Sequence, residues 1–413
     1  MLVYVHVPFC RAKCAYCAFY STVLPRGRAG RERARAYLSA LLAELHFWGR
    51  RLEGREVESV FFGGGTPSLL PASALGGIIA ELRGYFSFAP DAEITAEANP
   101  ESALDSGWLF AARDAGVNRL SLGLQSFDDA RLGLLGRLHD ARSAEAAFAT
   151  ARSAGFNNIS LDLMWGLPGC RAGEQGGAAG LSPQSQSGWL SELRRAVELR
   201  PEHISAYGLT LEEGSALAEL CAADRCQMPG EGELGSMYLA GGDFLESRGY
   251  MQYEISNYAR MGFACRHNLG YWQGKDYLGL GPAAASTLEE KRWTNAEDMD
   301  RWRAAVREKA LGGDAESLDP LKRKKEMLML RLRMNKGLDL RSWSAAWQEP
   351  FLARYRQLTA ALQLNGLAAV RSGRFRLTRA GFLVSDTILS HFFAALDEAA
   401  GLRGGGPDPG RWK

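Results

Sequence analysis

Short apolar segments alternate with helix-period segments through the first half of the chain, and this alternation is the strongest constraint on the fold. The apolar segments are rich in β-branched and aromatic residues, as is typical of buried strands. Strands that alternate with helices form a parallel sheet with right-handed crossovers. The pattern therefore predicts an α/β fold built on a curved, partial (β/α)6 barrel. The six predicted strands are residues 2–7, 59–62, 92–96, 119–124, 158–163 and 204–209.

The length of the chain predicts more than one domain. A single core rarely accommodates 413 residues, although an α/β barrel alone can contain more than about 200 residues. Towards the C-terminus, helices are followed by two short strands that flank residues 371–373, a pattern typical of a smaller winged-helix-like domain. The predicted units are the barrel (1–215), a barrel-closing segment (216–290), a helical C-terminal domain (291–400) and a flexible tail (401–413), with a Gly- and Ser-rich surface insertion at 170–187.

Composition gives little indication of nucleic-acid or membrane binding. The formal net charge is only +2, from 49 basic and 47 acidic residues. No apolar run approaches the roughly 18 residues that a membrane-spanning helix needs, and no signal peptide precedes the first motif. The odd number of cysteines, seven, fits a reducing compartment better than a secreted protein stabilised by disulfides. We therefore expect a cytoplasmic protein with at most peripheral membrane contact.

Three cysteines follow the first predicted strand. Cys10, Cys14 and Cys17 have the spacing C-x3-C-x2-C, which supplies three thiolates to an iron-sulfur cluster that needs four ligands. A zinc site or a disulfide pair is the alternative, but zinc cysteines usually form pairs with a second pair further on. The spacing resembles the signature of the radical S-adenosylmethionine (SAM) superfamily. That resemblance implies a [4Fe-4S] cluster whose open iron binds the amino and carboxylate groups of SAM.

Polar residues and glycines follow the predicted strands, where the active sites of such barrels lie. Three glycines, 63–65, would let a ligand approach the backbone closely, although a tight turn would need them equally. Glu97 and Asp162 could act as a general acid and base, or could bind ribose hydroxyls or an amino group. Gln125 and Arg137 suit ribose and carboxylate recognition, although Arg137 could also be an exposed helix charge.

Several longer segments together resemble the HemW heme chaperones, which are relatives of the oxygen-independent coproporphyrinogen III oxidases. The resemblance runs from Leu2 to about Ser286 and continues more loosely through the C-terminal domain. The matching segments are YVHVPFC (4–10), GGGTPS (63–68), EANP (97–100), LGLQSF (122–127), DLMWGLPG (162–169) and HNLGYW (267–272).

The resemblance implies a set of cofactors and site residues. Cys10, Cys14 and Cys17 would hold the [4Fe-4S] cluster, and heme would be a further ligand. We select His267 as the candidate heme ligand because a neutral imidazole is a common axial ligand and the neighbouring aromatic residues could cover a porphyrin face; Cys265 and His6 are its rivals. The residues expected around SAM are Tyr4, Gly64, Gly65, Thr66, Glu97, Gln125, Arg137 and Asp162.

Two features favour a chaperone over an oxidase. Phe19 stands where the oxidase has a fourth cysteine, and the first cluster cysteine is already residue 10, so we expect the oxidase's N-terminal segment to be missing. We predict a protein that binds heme and transfers it to an acceptor, such as a membrane-associated respiratory hemoprotein. The alternative is a radical SAM decarboxylase of the coproporphyrinogen III oxidase type, an activity we do not expect. A homodimer and the turnover of SAM stay open.

The remaining motifs carry weaker predictions. Cys170 stands where the family often has Gln, and Cys221 and Cys226 lack a companion ligand at metal-site spacing, so we interpret the latter two as ordinary small residues. A basic run at 322–325 could contact phosphates, but it more often forms a solvated helix face. We therefore expect no nucleic-acid partner.

Overall fold

The computed structural model describes residues 1–170 and 180–401. The predicted tail lies outside this range apart from residue 401, as do residues 171–179 of the predicted insertion. A 3-10 turn spans Pro67–Leu69. In chain order, the first elements are β1 (Leu2–Val7), β2 (Phe9–Cys10), β3 (Thr22–Val23), α1 (Gly27–Gly49), β4 (Glu56–Gly64), α2 (Ala72–Tyr85), β5 (Ser87–Ala98), α3 (Pro100–Ala103), α4 (Ser106–Asp114), β6 (Arg119–Gln125), α5 (Asp129–Leu134), α6 (Ala141–Ser153), β7 (Ile159–Trp165), β8 (Gly169–Cys170), α7 (Gln186–Glu198) and β9 (His203–Gly208).

The second part of the chain completes the sheet and then forms a smaller helical region. Its elements are α8 (Ala216–Ala222), β10 (Cys226–Gln227), α9 (Glu231–Ser247), β11 (Met251–Gln252), β12 (Asn257–Ala259), α10 (Arg266–Trp272), β13 (Tyr277–Leu280), β14 (Ala285–Leu288), β15 (Lys291–Thr294), α11 (Met299–Glu308), β16 (Glu316–Ser317), α12 (Pro320–Leu332), β17 (Leu338–Asp339), α13 (Leu340–Trp347), α14 (Phe351–Arg354), α15 (Arg356–Leu364), β18 (Ala368–Arg371), β19 (Arg374–Leu377), α16 (Arg379–Leu383) and α17 (Ser385–Ala399).

Six neighbouring parallel strands form the centre of a 12-stranded sheet and confirm the predicted partial barrel. Their order is β9-β7-β6-β5-β4-β1, and each pair is parallel. The sheet continues past β1 through β13, which is also parallel, and then through β14, β15 and β16. At the other side it ends with β12 and β11, which are antiparallel to their neighbours. Because β11 and β16 are both edges, the barrel is incomplete.

Alternation along the strands separates the core from the site. Leu120 and Leu122 of β6 and Leu161 of β7 are fully buried in the main hydrophobic core. Residues on the opposite face of the same strands, such as Ser121 and Asp162, line an interior cavity. Successive strand residues point to opposite faces of the sheet. The helices pack on the apolar face, and the opposite face lines the cavity and is available for chemistry.

One predicted helix is divided in two. The hydrophobic period of residues 102–115 predicts a single helix, but the chain forms α3 and α4, separated by Leu104 and Asp105. The Asp105 carboxylate accepts a hydrogen bond from Trp108 N and so caps the start of α4. An N-cap satisfies a backbone donor that would otherwise lack a partner, so this aspartate favours a new helix start over a continuous helix.

The smaller C-terminal region has its own core and the predicted hairpin. β18 and β19 pair in register around residues 372–373, and β17 adds a third strand. Trp343, Phe351, Phe375 and Phe392 are fully buried and pack together with residues of α12 and α17. Helices on a small three-stranded sheet match the predicted winged-helix-like fold.

The basic run at 322–325 is engaged in ion pairs along α12. Lys324 contacts Glu349 and Lys325 contacts Asp397, while Lys322 and Arg323 contact Glu316 and Glu290. Each cation therefore already has a carboxylate neighbour, which favours the solvated helix face over a phosphate-binding patch. Within the described ranges, no helix combines the length and apolar character needed to cross a bilayer.

Candidate functional site: the barrel mouth and interior

The three predicted cluster cysteines lie on one loop at the C-terminal end of β1. Cys10 ends β2, and Cys14 and Cys17 follow in a turn closed by the hydrogen bond from Cys17 N to Cys14 O (3.2 Å). The loop is anchored through Ala15, whose N–H donates to Leu135 O (3.0 Å). No three His, Cys, Asp or Glu side chains of residues 1–170 and 180–401 surround a single metal-ion position. The loop presents three thiols, which is the number of protein ligands that a [4Fe-4S] cluster with one open iron would need.

Two polar side chains contact the cluster thiols. Thr66 donates its hydroxyl to Cys10 Sγ at 3.7 Å, and Arg137 Nη1 donates to Cys14 Sγ at 3.4 Å. Burial raises the pKa of the Cys10 and Cys17 thiols, while the Thr66 hydrogen bond opposes that rise at Cys10. Metal binding requires thiolates, so the nearby guanidinium charge favours the form of the loop that a cluster needs.

Two consecutive glycines close on the strand that leads to the cluster. A Cβ atom on Gly65 would lie 2.6 Å from Phe9 O and 2.8 Å from Val7 O. A Cβ on Gly64, where φ is +102°, would lie 2.5 Å from the His6 ring. Close packing within the chain therefore accounts for the absence of side chains at both positions.

Arg137 is not an exposed helix charge. It lies between α5 and α6, and its Nη2 donates to Asn99 Oδ1 at 2.7 Å and to Gly123 O at 2.6 Å. Asn99 in turn donates to Thr66 Oγ1 at 3.0 Å. Asn99 therefore connects two predicted site residues, and our sequence-based selection of site residues omitted it. Its position directly after β5, within the EANP segment, was the available signal.

Gln125 reaches the same point through an irregular strand end. It adopts φ +68°, and the register between β6 and β7 shifts between Gly123 and Gln125. A side chain on Gly123 would meet Gln125 Nε2, Asn99 Oδ1 and Arg137 Nη2 at 3.1, 3.2 and 3.6 Å. A non-glycine residue at positive φ is uncommon and typically marks a functional or strained position. The bulge thus gathers one amide, one guanidinium and one further amide beside the cluster loop.

The two predicted carboxylates face the interior at different depths. Glu97 lies near the end of β5 and accepts from Gly64 N at 3.2 Å. Asp162 was expected at a strand end but lies in the middle of β7, where Ser121 and Ser160 donate to it at 2.9 and 3.1 Å. The apolar residues Leu163 and Met164 extend the strand beyond it, so Asp162 is deeper than predicted.

Burial and mutual repulsion favour protonation of this pair. Burial raises the pKa of Glu97 to about 8, and the charge of Asp162 adds to the rise, while the Gly64 N–H opposes it. Burial also raises the pKa of Asp162, against the hydrogen bonds from its serine partners. Two carboxylates in one cavity rarely both ionise, so at neutral pH we expect Glu97 to be the protonated one.

Glu97 gives a testable pH dependence. Its pKa in the folded chain exceeds the ordinary glutamate value, so the unfolded chain loses this proton first, and the free energy of unfolding falls as pH rises from about 4.5 to 8. The slope has a limit of about 1.4 kcal/mol per pH unit, reduced by the solvent that reaches the cavity. We expect Glu97→Gln to flatten this slope in urea unfolding of the cluster-free protein between pH 6 and 8. An equal slope in both proteins would contradict the assignment.

A cavity of about 150 Å³ occupies the barrel interior, and both carboxylates line it. Its lining combines aromatic rings with polar groups, among them Tyr4, Phe61, His203, Tyr253 and Arg119. Arg119 is 2 % exposed, and its Nε has no hydrogen-bond partner within the described structure. Our sequence analysis missed this residue; the signal was a lone cation at the start of an apolar strand.

The HNLGYW segment forms α10 and lies at the opposite end of the barrel from the cluster. His267 Nδ1 is 2.9 Å from the Oγ of Ser59, which pairs with Leu2 at the start of β1, whereas Gly64 pairs with Val7 at its end. Five residues of strand separate these two levels, roughly 16 Å. The Glu93 carboxylate fixes α10 by accepting from Cys265 Sγ and from His267 N.

Among the three candidate heme ligands, His267 has a ring nitrogen without a hydrogen-bond partner in the described residues, whereas His6 and Cys265 use their ligating atoms in hydrogen bonds. Its Nε2 is buried without a partner among the described residues, and burial together with the charge of Arg119 lowers the pKa of His267 to about 3, so the imidazole is neutral. Both ring nitrogens of His6 are occupied, by Tyr4 Oη at 3.1 Å and Tyr20 O at 2.8 Å. Cys265 hydrogen-bonds Glu93 and Asn268 N, and burial raises its pKa to about 12.

The space around His267 is small. The rings of Phe61, Tyr271 and Tyr4 lie 5.1, 4.8 and 6.4 Å from its imidazole, between ring centroids. The cavity of about 150 Å³ is below the roughly 300–1,000 Å³ of typical organic-ligand pockets. A porphyrin therefore reaches this nitrogen only if α10 and its neighbours move.

Family models match both parts of the chain. Residues 4–170 match the model described as the radical SAM superfamily, and residues 318–384 match the one described as the HemN C-terminal domain. The solved structure of coproporphyrinogen III oxidase from Escherichia coli, described as a radical SAM enzyme, superposes with a TM-score of 0.77 at 25 % identity. That superposition covers 96 % of this chain and 90 % of the oxidase.

Curated relatives extend over nearly the whole chain. The heme chaperone HemW of Mycobacterium tuberculosis is 34 % identical over 94 % of this chain and 93 % of its own length. HemW of Escherichia coli is 38 % identical over 68 % of each chain. The mitochondrial radical S-adenosyl methionine domain-containing protein 1 of Bos taurus is 34 % identical over 96 % of this chain and 88 % of its own. The chain therefore belongs to the HemW heme chaperone family of the radical SAM superfamily.

Proposed function

We propose that this protein binds heme and transfers it to an acceptor protein, and that it carries a [4Fe-4S] cluster and SAM. The observation that carries the heme assignment is the neutral, unpartnered Nε2 of His267 among aromatic side chains of the described barrel interior. Neutral imidazole is a common axial ligand of heme iron. The family membership supports the same ligand, since the relatives are named heme chaperones.

The cofactor assignment rests on the barrel mouth. Cys10, Cys14 and Cys17 would hold the cluster, whose open iron supplies a site for the amino and carboxylate groups of SAM. The Arg137 guanidinium, already beside Cys14, would place its positive charge near the SAM carboxylate, with Nε as the donor that has no partner among the described residues, and Gln125 would lie within reach of the ribose. The other residues that we assign to SAM are Tyr4, Gly64, Gly65, Thr66, Glu97 and Asp162.

Heme at His267 requires an opening at the end of the barrel. The hydrogen bonds from α10 to Glu93 and the contact of His267 with Ser59 hold this end closed. A carrier must release its cargo, and a site that closes again after release favours transfer over storage. We propose that opening of α10 accompanies heme loading, with a cytoplasmic chaperone handing heme to a membrane-associated acceptor by peripheral contact.

The coproporphyrinogen III oxidase type of decarboxylation is the competing function. The similarity to the Escherichia coli oxidase supports this alternative. Against it, Phe19 occupies the position of the oxidase's fourth cysteine, and 70 % of its surface is exposed. Anaerobic incubation with coproporphyrinogen III, SAM and a low-potential reductant separates the two functions. We expect no decarboxylated product, and its accumulation would transfer the assignment to the enzyme.

An anaerobic hemin titration of the cluster-reconstituted protein tests the heme proposal. We expect the Soret absorbance to saturate near roughly one heme per chain, because His267 would supply one axial imidazole per chain. His267→Ala should weaken binding or shift the Soret maximum, whereas His391→Ala removes an exposed histidine of α17 and serves as the matched control. Thermal melts of both variants show whether each remains folded.

Two outcomes would contradict this assignment. Non-saturating absorbance in all three proteins would indicate nonspecific adsorption and would exclude a defined site. Unchanged affinity and spectrum in a folded His267→Ala variant would move the ligand elsewhere, and Cys265→Ser and His6→Ala would then be the next variants.

A further inference from the structure

Two cysteines outside the cluster loop face each other across a short strand pair. Cys170 in β8 and Cys226 in β10 are directly opposite in an antiparallel ladder, and their Sγ atoms are 2.8 Å apart. They lie 56 residues apart in sequence, so the fold and not local spacing brings them together. The sequence alone did not indicate this pair: Cys226 was interpreted as an ordinary small residue because it lacks a companion ligand at metal-site spacing, and Cys170 was noted only where the family often has Gln.

The backbone geometry of this pair suits a disulfide. Opposed residues of an antiparallel ladder have Cα atoms about 4.5–5.5 Å apart, within the roughly 4.4–6.8 Å that disulfides span. The two sulfurs need to approach by less than about 1 Å to reach bonding distance. Bond formation therefore requires no rearrangement of the strands.

The segment that carries Cys226 covers the cluster loop. α8 lies just before β10, and Leu217 of α8 donates its N–H to Ala15 O at 2.8 Å. The Leu217 side chain is fully buried in a small apolar cluster with Leu135, Met164 and Leu167, against which Tyr16 packs. α8 is thus attached to the loop that contains the cluster cysteines Cys14 and Cys17.

We propose that Cys170 and Cys226 form a reversible disulfide that fastens the α8 cover over the cluster loop. The oxidant is a low-molecular-weight disulfide such as oxidised glutathione. The thiolate of Cys170, the more exposed of the two, attacks one glutathione sulfur, which forms a mixed disulfide and releases one reduced glutathione. The thiolate of Cys226 then attacks the Cys170 sulfur and releases the second glutathione. Two protein thiols are oxidised and one glutathione disulfide is reduced to two thiols.

Such a disulfide would be regulatory, because it would form and break with the redox state of the cell. Disulfides of reducing compartments are usually transient, and they follow the redox poise of the cell. In the oxidised state, α8 is fastened through β10 to the strand that follows β7, so the cluster loop loses freedom on its outer side. In the reduced state, noncovalent contacts hold the cover, among them the apolar contacts of Leu217 and its hydrogen bond to Ala15.

The first test is peptide mapping of the cluster-loaded protein after anaerobic equilibration in glutathione buffers. Trypsin separates the relevant thiols, because Cys170 falls in peptide 153–171, Cys221 in 196–225 and Cys226 in 226–248. We expect peptides 153–171 and 226–248 to become linked as the buffer is made oxidising, and the link to vanish with dithiothreitol. Cys170→Ser should abolish the link, and Cys221→Ser, which removes a neighbouring α8 thiol, should preserve it.

Hydrogen exchange tests the fastening. We expect amides of residues 216–226 to exchange more slowly in the oxidised than in the reduced wild type, with no such difference in Cys170→Ser. Alkylation of both thiols in a fully oxidising buffer, or a link to Cys221 instead, would overturn the pair. Equal exchange rates in the linked and reduced proteins would overturn the fastening of α8.

Discussion

Cys14→Ser is expected to leave the protein without its cluster. Cys14 lies between the other two predicted ligands on the loop, and its sulfur also contacts Arg137 Nη1 at 3.4 Å. A serine hydroxyl stays protonated at neutral pH and is a poor iron ligand, so the loop would offer only two thiolates where a cubane needs three from this chain. Iron and acid-labile sulfide after anaerobic reconstitution should fall to background, and the broad visible absorbance of the cluster should disappear.

The matched control is Cys221→Ser, which removes a partly buried thiol of α8 away from the three ligands. It should retain the iron content of the wild type. Because the open iron would take the amino and carboxylate groups of SAM, Cys14→Ser should also lose SAM binding in equilibrium dialysis. Wild-type iron in Cys14→Ser, in a protein with an unchanged thermal melt, would show that the loop is not the cluster site.

Local patterns were sufficient for the parts of the fold that depend on nearby residues. The strand Leu2–Val7 has the predicted bounds, and the helices Ala72–Tyr85 and Glu231–Ser247 coincide with segments of helical period, because hydrophobic periodicity and turn residues act over a few positions. The cysteine loop is also local, since its ligands would come from eight consecutive residues, 10–17. The C-terminal hairpin follows the same logic, with turn residues between two short strands.

Contacts between residues far apart in the chain could not be predicted from the sequence. The depth of Asp162 depends on the register of β7 against β6, including the bulge at Gln125, and one residue of slip would turn its carboxylate into the core. The contact of Arg137 with Asn99 joins segments 38 residues apart. The motif His267–Trp272 was read as an aromatic cover for heme, but only the packing of α10 against Ser59 and Glu93 places it at the end of the barrel away from the cluster.

Gly65→Ala is expected to destabilise the protein and to weaken cluster binding. The new Cβ would lie 2.6 Å from Phe9 O and 2.8 Å from Val7 O, and both are backbone atoms of the segment that leads into Cys10. Those same atoms accept hydrogen bonds from Thr66 N and Gly65 N, so the clash cannot be relieved by a side-chain rotation. Overpacking of this kind typically costs about 1–3 kcal/mol in the free energy of unfolding.

Gly77→Ala is the control: it adds the same methyl group and is expected to increase the free energy of unfolding. Gly77 lies in the interior of α2, it is exposed, and a Cβ there meets no atom within 4 Å. Alanine in a helix interior is about 0.5–1 kcal/mol more favourable than glycine, so this variant should be more stable than the wild type in urea unfolding. Gly65→Ala should be less stable and should also bind less cluster iron, because any relief of its clash moves Phe9 and therefore Cys10. If both variants changed stability equally, the close packing of the Gly65 backbone against the cluster strand would be wrong, and the glycines would serve chain flexibility alone.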